Sequence, residues 1–261
     1  MAKPDAKVKL GGMALPNGVL VHGPTAWAVA VRLPDGGLKV ASGRKSTFAA
    51  RVKNPLLRGP ARLAEAFALL PRIKRALPEA KLPFERPGIL AAMGASAFAV
   101  RAIRSSDEIA PAARELASGL LSLAPALLAL RGGELAAYHG AEHVSIGSYE
   151  HGEPRAKEHE RCGTHLVGPL VATSAVANLL AARAPVNLRG PARIAAQLGA
   201  VAASVELFAW MTRHPDRRLA RALARPGHEL QSRIATAEPS AAQLEVAEAA
   251  LRACLELEEA A

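Results

Sequence analysis

Residues 19–42 read VLVHGPTAWAVAVRLPDGGLKVAS. Alternating apolar residues flank PDGG at 34–37, a strong hairpin-turn signal, so the stretch is read as β structure. It predicts a small basic sheet near the front of a chain that otherwise reads as helical.

Downstream, Gly59–Leu77 (GPARLAEAFALLPRIKRAL) sets apolar residues at helical spacing on one side and Arg and Lys on the other. This describes an amphipathic helix broken or kinked at Pro71, covering the sheet or lying on a membrane surface. Four apolar stretches follow: Pro87–Val100, Leu116–Leu130, Leu166–Ala182 and Ile194–Thr212, of 14, 15, 17 and 19 residues. A spanning helix needs roughly 17–25 residues, so only the last two qualify outright. The first two reach that length only if Arg101, Arg104 or Arg131 snorkel. A soluble helical bundle is the competing reading. Beyond them, Ser240 and Gln243 have capping-box spacing ahead of Leu244, Ala247, Leu251, Cys254 and Leu255. That pattern predicts an amphipathic helix with Cys254 as a buried small hydrophobe.

The fold expected is mainly α: a small N-terminal β-hairpin or sheet segment, then an alanine-rich helical bundle with up to four short membrane-associated helices. Its parts are a basic segment at 1–86, the bundle at 87–230 and an amphipathic helix at 231–261.

The 261 residues carry a formal charge of +10, with 16 Lys/Arg against 5 Asp/Glu in residues 1–87. A skew of this kind fits an anionic membrane surface, the cytoplasmic flank of membrane helices, or nucleic acid. Two Trp, two Tyr and five Phe offer little base-stacking surface, which argues against RNA. With four spans, the basic front and the run Arg213, Arg217, Arg218, Arg221 and Arg225 share the cytoplasmic side, although Arg183, Arg189 and Arg193 would lie outside. MAKPDAKVKLGGMALPNG has no apolar run before residue 19, so no secretory signal is expected. Two cysteines cannot form a disulfide framework, and cytosolic chemistry is the natural reading for both.

Five of the eight histidines and Cys162 fall in YHGAEHVSIGSYEHGEPRAKEHERCGTH, Tyr138–His165. On a helix, His139, Glu142 and His143 share one face at i, i+3 and i+4. Two imidazoles so spaced can hold zinc, and the carboxylate between them can take a proton from water and pass it to a leaving group. H-x-x-E-H is the order of inverted zinc peptidases. A third ligand comes from Cys162 or Glu206, ranked nearly level, then His159, then Glu150. Glu206 is a candidate because a carboxylate within an apolar helix is costly unless paired. Gly140 is a mild objection, costing about 1 kcal/mol in a helix interior.

YHGAEH, Tyr149–Glu150 and His159–Thr164 resemble the YqhQ-like bacterial membrane proteins, described as metal-dependent enzymes. GGMALPNGVLVHGPTAWAVAVRLPDG, NPLLRGPARLAEA, SVEL and PGHELQSRIATAEPSAAQLEVA resemble further segments of that family. The chain departs from the family at Met13, Asn17, Val21-His22 and Val144, and its hydrophobic segments are shorter.

Two functions follow as expectations. The first is a zinc-dependent hydrolase at the cytoplasmic membrane. His139 and His143 hold the metal, Cys162 or Glu206 completes the site, Glu142 is the base, and Tyr138 or His165 steadies an oxyanion. Its substrate is an unidentified protein or small molecule. The second is a membrane- or ribosome-associated scaffold whose metal is structural, with lipid headgroups or another protein as partner. Soluble cytoplasmic placement and a homo-oligomer are left open.

Overall fold

The computed structural model describes residues 7–106, 108–131 and 133–260; the first six residues of the segment expected to lack a signal lie outside them. Its front is a four-stranded antiparallel meander in sequence order: β1 (Gly11–Leu15), β2 (Gly18–His22), β3 (Ala26–Arg32) and β4 (Leu38–Arg44). The expected hairpin is β3–β4. In its turn Leu33 N donates to Gly37 O at 2.8 Å and Gly36 N to Leu33 O at 3.0 Å. Gly36 sits at φ +85°, which glycine tolerates best. The added strand is β1, whose GGMAL shows no clear alternation.

Helices follow: α1 (Pro55–Phe67), α2 (Leu70–Ala76), α3 (Pro87–Ser105), α4 (Pro111–Leu130), α5 (Glu134–His151), α6 (Val167–Ala181), α7 (Arg189–Arg213), α8 (Arg218–Leu230) and α9 (Ala241–Glu259). A π-helical turn, Gln231–Ala235, extends α8.

Both sheet faces are buried, and the period of two sorts their side chains by size. Leu15, Leu20, Trp27, Val29 and Val31 meet Leu69, Leu70, Ile73 and Leu77 around α2. On the other face Ala26, Ala28 and Ala30 leave room for α9, which presents Val246, Ala247, Ala250 and Cys254. The capping box forms as expected, with Ser240 Oγ accepting from Gln243 N. Cys254 is fully buried.

The amphipathic stretch is interrupted just ahead of Pro71, which opens α2, where its missing N–H costs nothing. The two halves part company. α2 covers the sheet, while α1 packs on α7, where a side chain at Gly59 would meet Val205 at 3.1 Å.

α3, α4, α6 and α7 pack as neighbours, α3 on α4, α4 on α6 and α6 on α7. Among the described residues, three segments are long and apolar enough to cross a membrane: Ala113–Leu130, Gly163–Ala181 and Val186–Arg213. The second apolar stretch therefore joins the two that qualified on length, because its helix begins at Pro111. α3 extends to 19 residues but carries Arg101 and Arg104. Between these helices runs a polar chain: Arg104 and Asn178 bond Glu115 (3.3 and 2.7 Å), and Gln197 bonds Asn178 (2.9 Å). The sheet, α5, the histidine-rich loop, α8 and α9 form a head at one end of these helices.

Candidate metal centre

α5 is buried from Leu135 to His143 without interruption, so its polar residues face protein on every side. A Cβ at Gly140 would stand 2.1 Å from Ala237 O. The glycine that looked like a helix defect therefore lets the chain after the π turn press against α5. Gly12 does the same for β1: a side chain there would strike the Glu142 carboxylate at 2.3 Å.

The buried His139 and His143 stand one turn apart with ring centroids 4.4 Å from each other. His139 Nδ1 lies 2.7 Å from Ala235 O, and His143 Nδ1 lies 2.6 Å from Lys157 O. A carbonyl can only accept, so each Nδ1 carries a proton and Nε2 is the ring atom left to bind a metal. This is how protein ligands to a metal are oriented. Cys162 Sγ stands 3.4 Å from His139 Nε2, and the three ligand atoms lie within 4.8 Å of one another. Bonds of about 2.0–2.3 Å to a tetrahedral zinc imply ligand separations of roughly 3.3–3.8 Å, so one edge is already set and the others close by small movements.

Glu142 Oε2 is 3.9 Å from His139 Nε2. Burial pushes its carboxyl up to about 8, with His139 opposing and Cys162 adding to the rise. Burial also lowers His143, helped by His139, so the imidazole stays neutral. The Cys162 thiol is raised, again by burial. The donor set is thus two imidazoles and a thiol that must shed its proton on binding a cation.

Glu206 is not brought here. Its carboxylate pairs with Arg58 across α1 and α7, the partner that makes a carboxylate in an apolar helix tolerable. His159 and Glu150 pair with each other at 3.2 Å. Arg161 also binds Glu150. Burial works against the charge on Glu150, but the bonds from His159 and Arg161 outweigh it and hold its carboxyl below the usual range. The His159 ring nevertheless lies 5.5 Å from that of His143. His165 binds Gln231 Nε2 at 3.1 Å, and Tyr138 is buried in the core.

The residues that hold the site escaped sequence reasoning. Gln231 is fully buried; its Oε1 accepts from His159 N at 2.8 Å, while Nε2 donates to Thr164 Oγ1 at 2.7 Å. It clamps both ends of the turn carrying Cys162. The same π turn ends at Ala235, whose carbonyl aims His139. π turns are rare and frequent at functional sites. Backbone carbonyls leave no mark in a sequence, and nothing distinguished Gln231 among the polar residues of the C-terminal segment.

The cluster faces a cavity of about 430 Å³ bounded by β1, His22, the last turn of α4, α5 and the Arg161–Thr164 turn. His22 Nδ1 stands 3.4 Å from Lys45 Nζ. Burial, then Lys45, lowers the His22 imidazole to about 4, so it is neutral at pH 7.

Among the described residues, His139, His143 and Cys162 form the cluster whose geometry could hold a metal ion. Residues 134–257, which contain the whole cluster, match the family described as "Protein of unknown function (DUF1385)". No curated protein and no solved structure matches the chain.

Proposed function

We propose that this protein is a zinc-dependent hydrolase of the YqhQ-like kind, working at the cytoplasmic face of a membrane. The observation that carries the reading is the convergence of His139, His143 and Cys162, whose ligand atoms lie within 4.8 Å of one another, with both Nδ1 atoms committed to backbone carbonyls. Three protein ligands leave a fourth position open, which distinguishes catalytic zinc sites from structural ones. Zinc there would polarise a carbonyl and lower the pKa of water to about 7. A dication there would favour the ionised form of Glu142, which burial alone opposes, and as a carboxylate Glu142 would take the proton of the attacking water and return it to the leaving group. Gly12 and the walls around Glu142 keep bulk water from the carboxylate.

The membrane reading rests on the three apolar segments and on connectivity. The chain leaves the head through α3 and returns through α4, so a crossing by α4 requires α3 to cross as well. Nineteen residues extend about 28 Å, close to the thickness of a hydrocarbon core. Arg217, Arg218, Arg221 and Arg225 around α8 would set the head on the cytoplasmic side, against anionic lipid.

A second reading, a scaffold with a structural metal, is favoured by one feature: the His159 ring beside His143 could swing in as a fourth ligand. Purifying the full chain in mild detergent without chelator decides between them. The hydrolase reading expects one zinc per chain, lost in His139→Ala, and unchanged stoichiometry in His159→Ala. Zinc loss in His159→Ala would favour the structural site. Absence of zinc in the wild type would sink both.

A further inference from the structure

The cavity above the metal cluster has two ends of different character. At one end are His139, Glu142, His143 and Cys162. At the other, Ala126, Ala129 and Leu130 form the last turn of α4, within a segment long and apolar enough to span a bilayer. Ala126 lines the cavity and is exposed, so the cavity is open where it meets that helix. Pro83 lines the same region, and its neighbour Phe84 stands exposed. The rest of the lining mixes apolar Met13, Leu135 and Ile146 with polar His22, Arg161 and Thr164.

A cleft that runs from lipid-facing helix to buried polar cluster sorts a substrate by polarity along its length. The volume, about 430 Å³, lies within the range of small-molecule sites. A peptide backbone would bring unsatisfied amides against alanine and leucine walls, at a cost a hydrocarbon chain does not incur.

Resting on the hydrolase reading, we infer that the substrate is a membrane-borne amphiphile whose acyl chain enters past Ala126 and whose ester or amide carbonyl reaches the His139–His143–Cys162 centre. Water adds to that carbonyl, forming the new C–O bond as the bond to the alkoxide or amine leaving group breaks. Glu142 transfers the proton from the water to the leaving atom. The products are a fatty acid and the freed alcohol or amine, and no oxidant or second substrate is consumed.

The test needs no natural substrate. The full chain, reconstituted in lipid nanodiscs, is loaded with Co²⁺, whose visible bands report the ligands at the centre. Acetohydroxamate and decanoyl hydroxamate, which share a metal-chelating head and differ in chain, are titrated against those bands. Each buried methylene strengthens binding about fourfold, so even partial insertion gives the decanoyl probe at least a roughly tenfold lower apparent Kd. Ala126→Trp, at an exposed position that the fold tolerates, should abolish this advantage and leave acetohydroxamate binding within about twofold. Equal affinity for the two probes overturns the inference. So does a chain-length advantage that survives Ala126→Trp, since it would come from the bilayer alone. Loss of the cobalt bands themselves would overturn the metal reading beneath it, a result that cannot be confused with either.

Discussion

The head and the helical layer of α3, α4, α6 and α7 are built from much the same apolar residues, yet they bury them differently. In the head, Val19, Val29, Val31 and Ile73 are at 0% exposure. In the helical layer Val176, Leu180, Ile194 and Leu198 remain 58–67% exposed. The head uses itself as apolar solvent, with the sheet enclosed between α2 on one face and α5 with α9 on the other. The helical layer buries small residues and polar links inward and turns its larger side chains out, as helices in lipid do. The polar residues follow the same division. In the head His139, Glu142, His143, His159 and Cys162 line one cavity, whereas Arg104, Glu115, Asn178 and Gln197 bond across the helices.

The largest expected difference between the two regions is catalytic. Glu142→Gln should keep its zinc and lose hydrolysis by roughly 10²–10⁴-fold, the range for a missing general base. Glu206→Gln, a matched change at the α1–α7 contact, should leave zinc content and turnover within about twofold. Metal analysis and turnover of an acyl ester read both, and zinc loss in Glu206→Gln would return Glu206 to the ligand set.

A second contrast concerns stability. Ile73→Ala should cost about 2–5 kcal/mol, since the cavity left between α2 and the sheet cannot fill. Leu198→Ala, on the outer surface of α7, should stay within about 0.5 kcal/mol in detergent. Comparable losses at both positions would mean that another protein surface, not lipid, covers α7.

The smallest effect is pH dependence of the head. His22 has a folded pKa of about 4 against 6.5 for the free side chain. The unfolded chain therefore binds a proton first, and stability falls as pH drops from 6.5 towards 4. By pH 5 the loss should reach about 2 kcal/mol. Thermal unfolding of His22→Gln should be flatter across this window; an unchanged slope would mean the imidazole is already solvated.

The order of elements was legible before any coordinates, because hairpin, capping box and apolar runs are local patterns. PDGG dictated the β3–β4 turn, and Ser240 with Gln243 dictated the start of α9. The helical spacing of His139, Glu142 and His143 was likewise local. β1 was not legible, since GGMAL is a strand only through its pairing with β2. Nor was the choice between Cys162 and Glu206, which the sequence left level and which depends on whether Arg58 or His139 lies nearby. Gly140 read as a mild objection and Gly12 carried no reading, yet both are points of close approach. Above all, the carbonyls of Lys157 and Ala235 that aim the two imidazoles belong to no side chain. Sequence alone determined which groups could ligate and on which helix face. Only the tertiary structure decided that three of them meet beside a cavity, because such convergence is set by contacts between residues up to 96 positions apart.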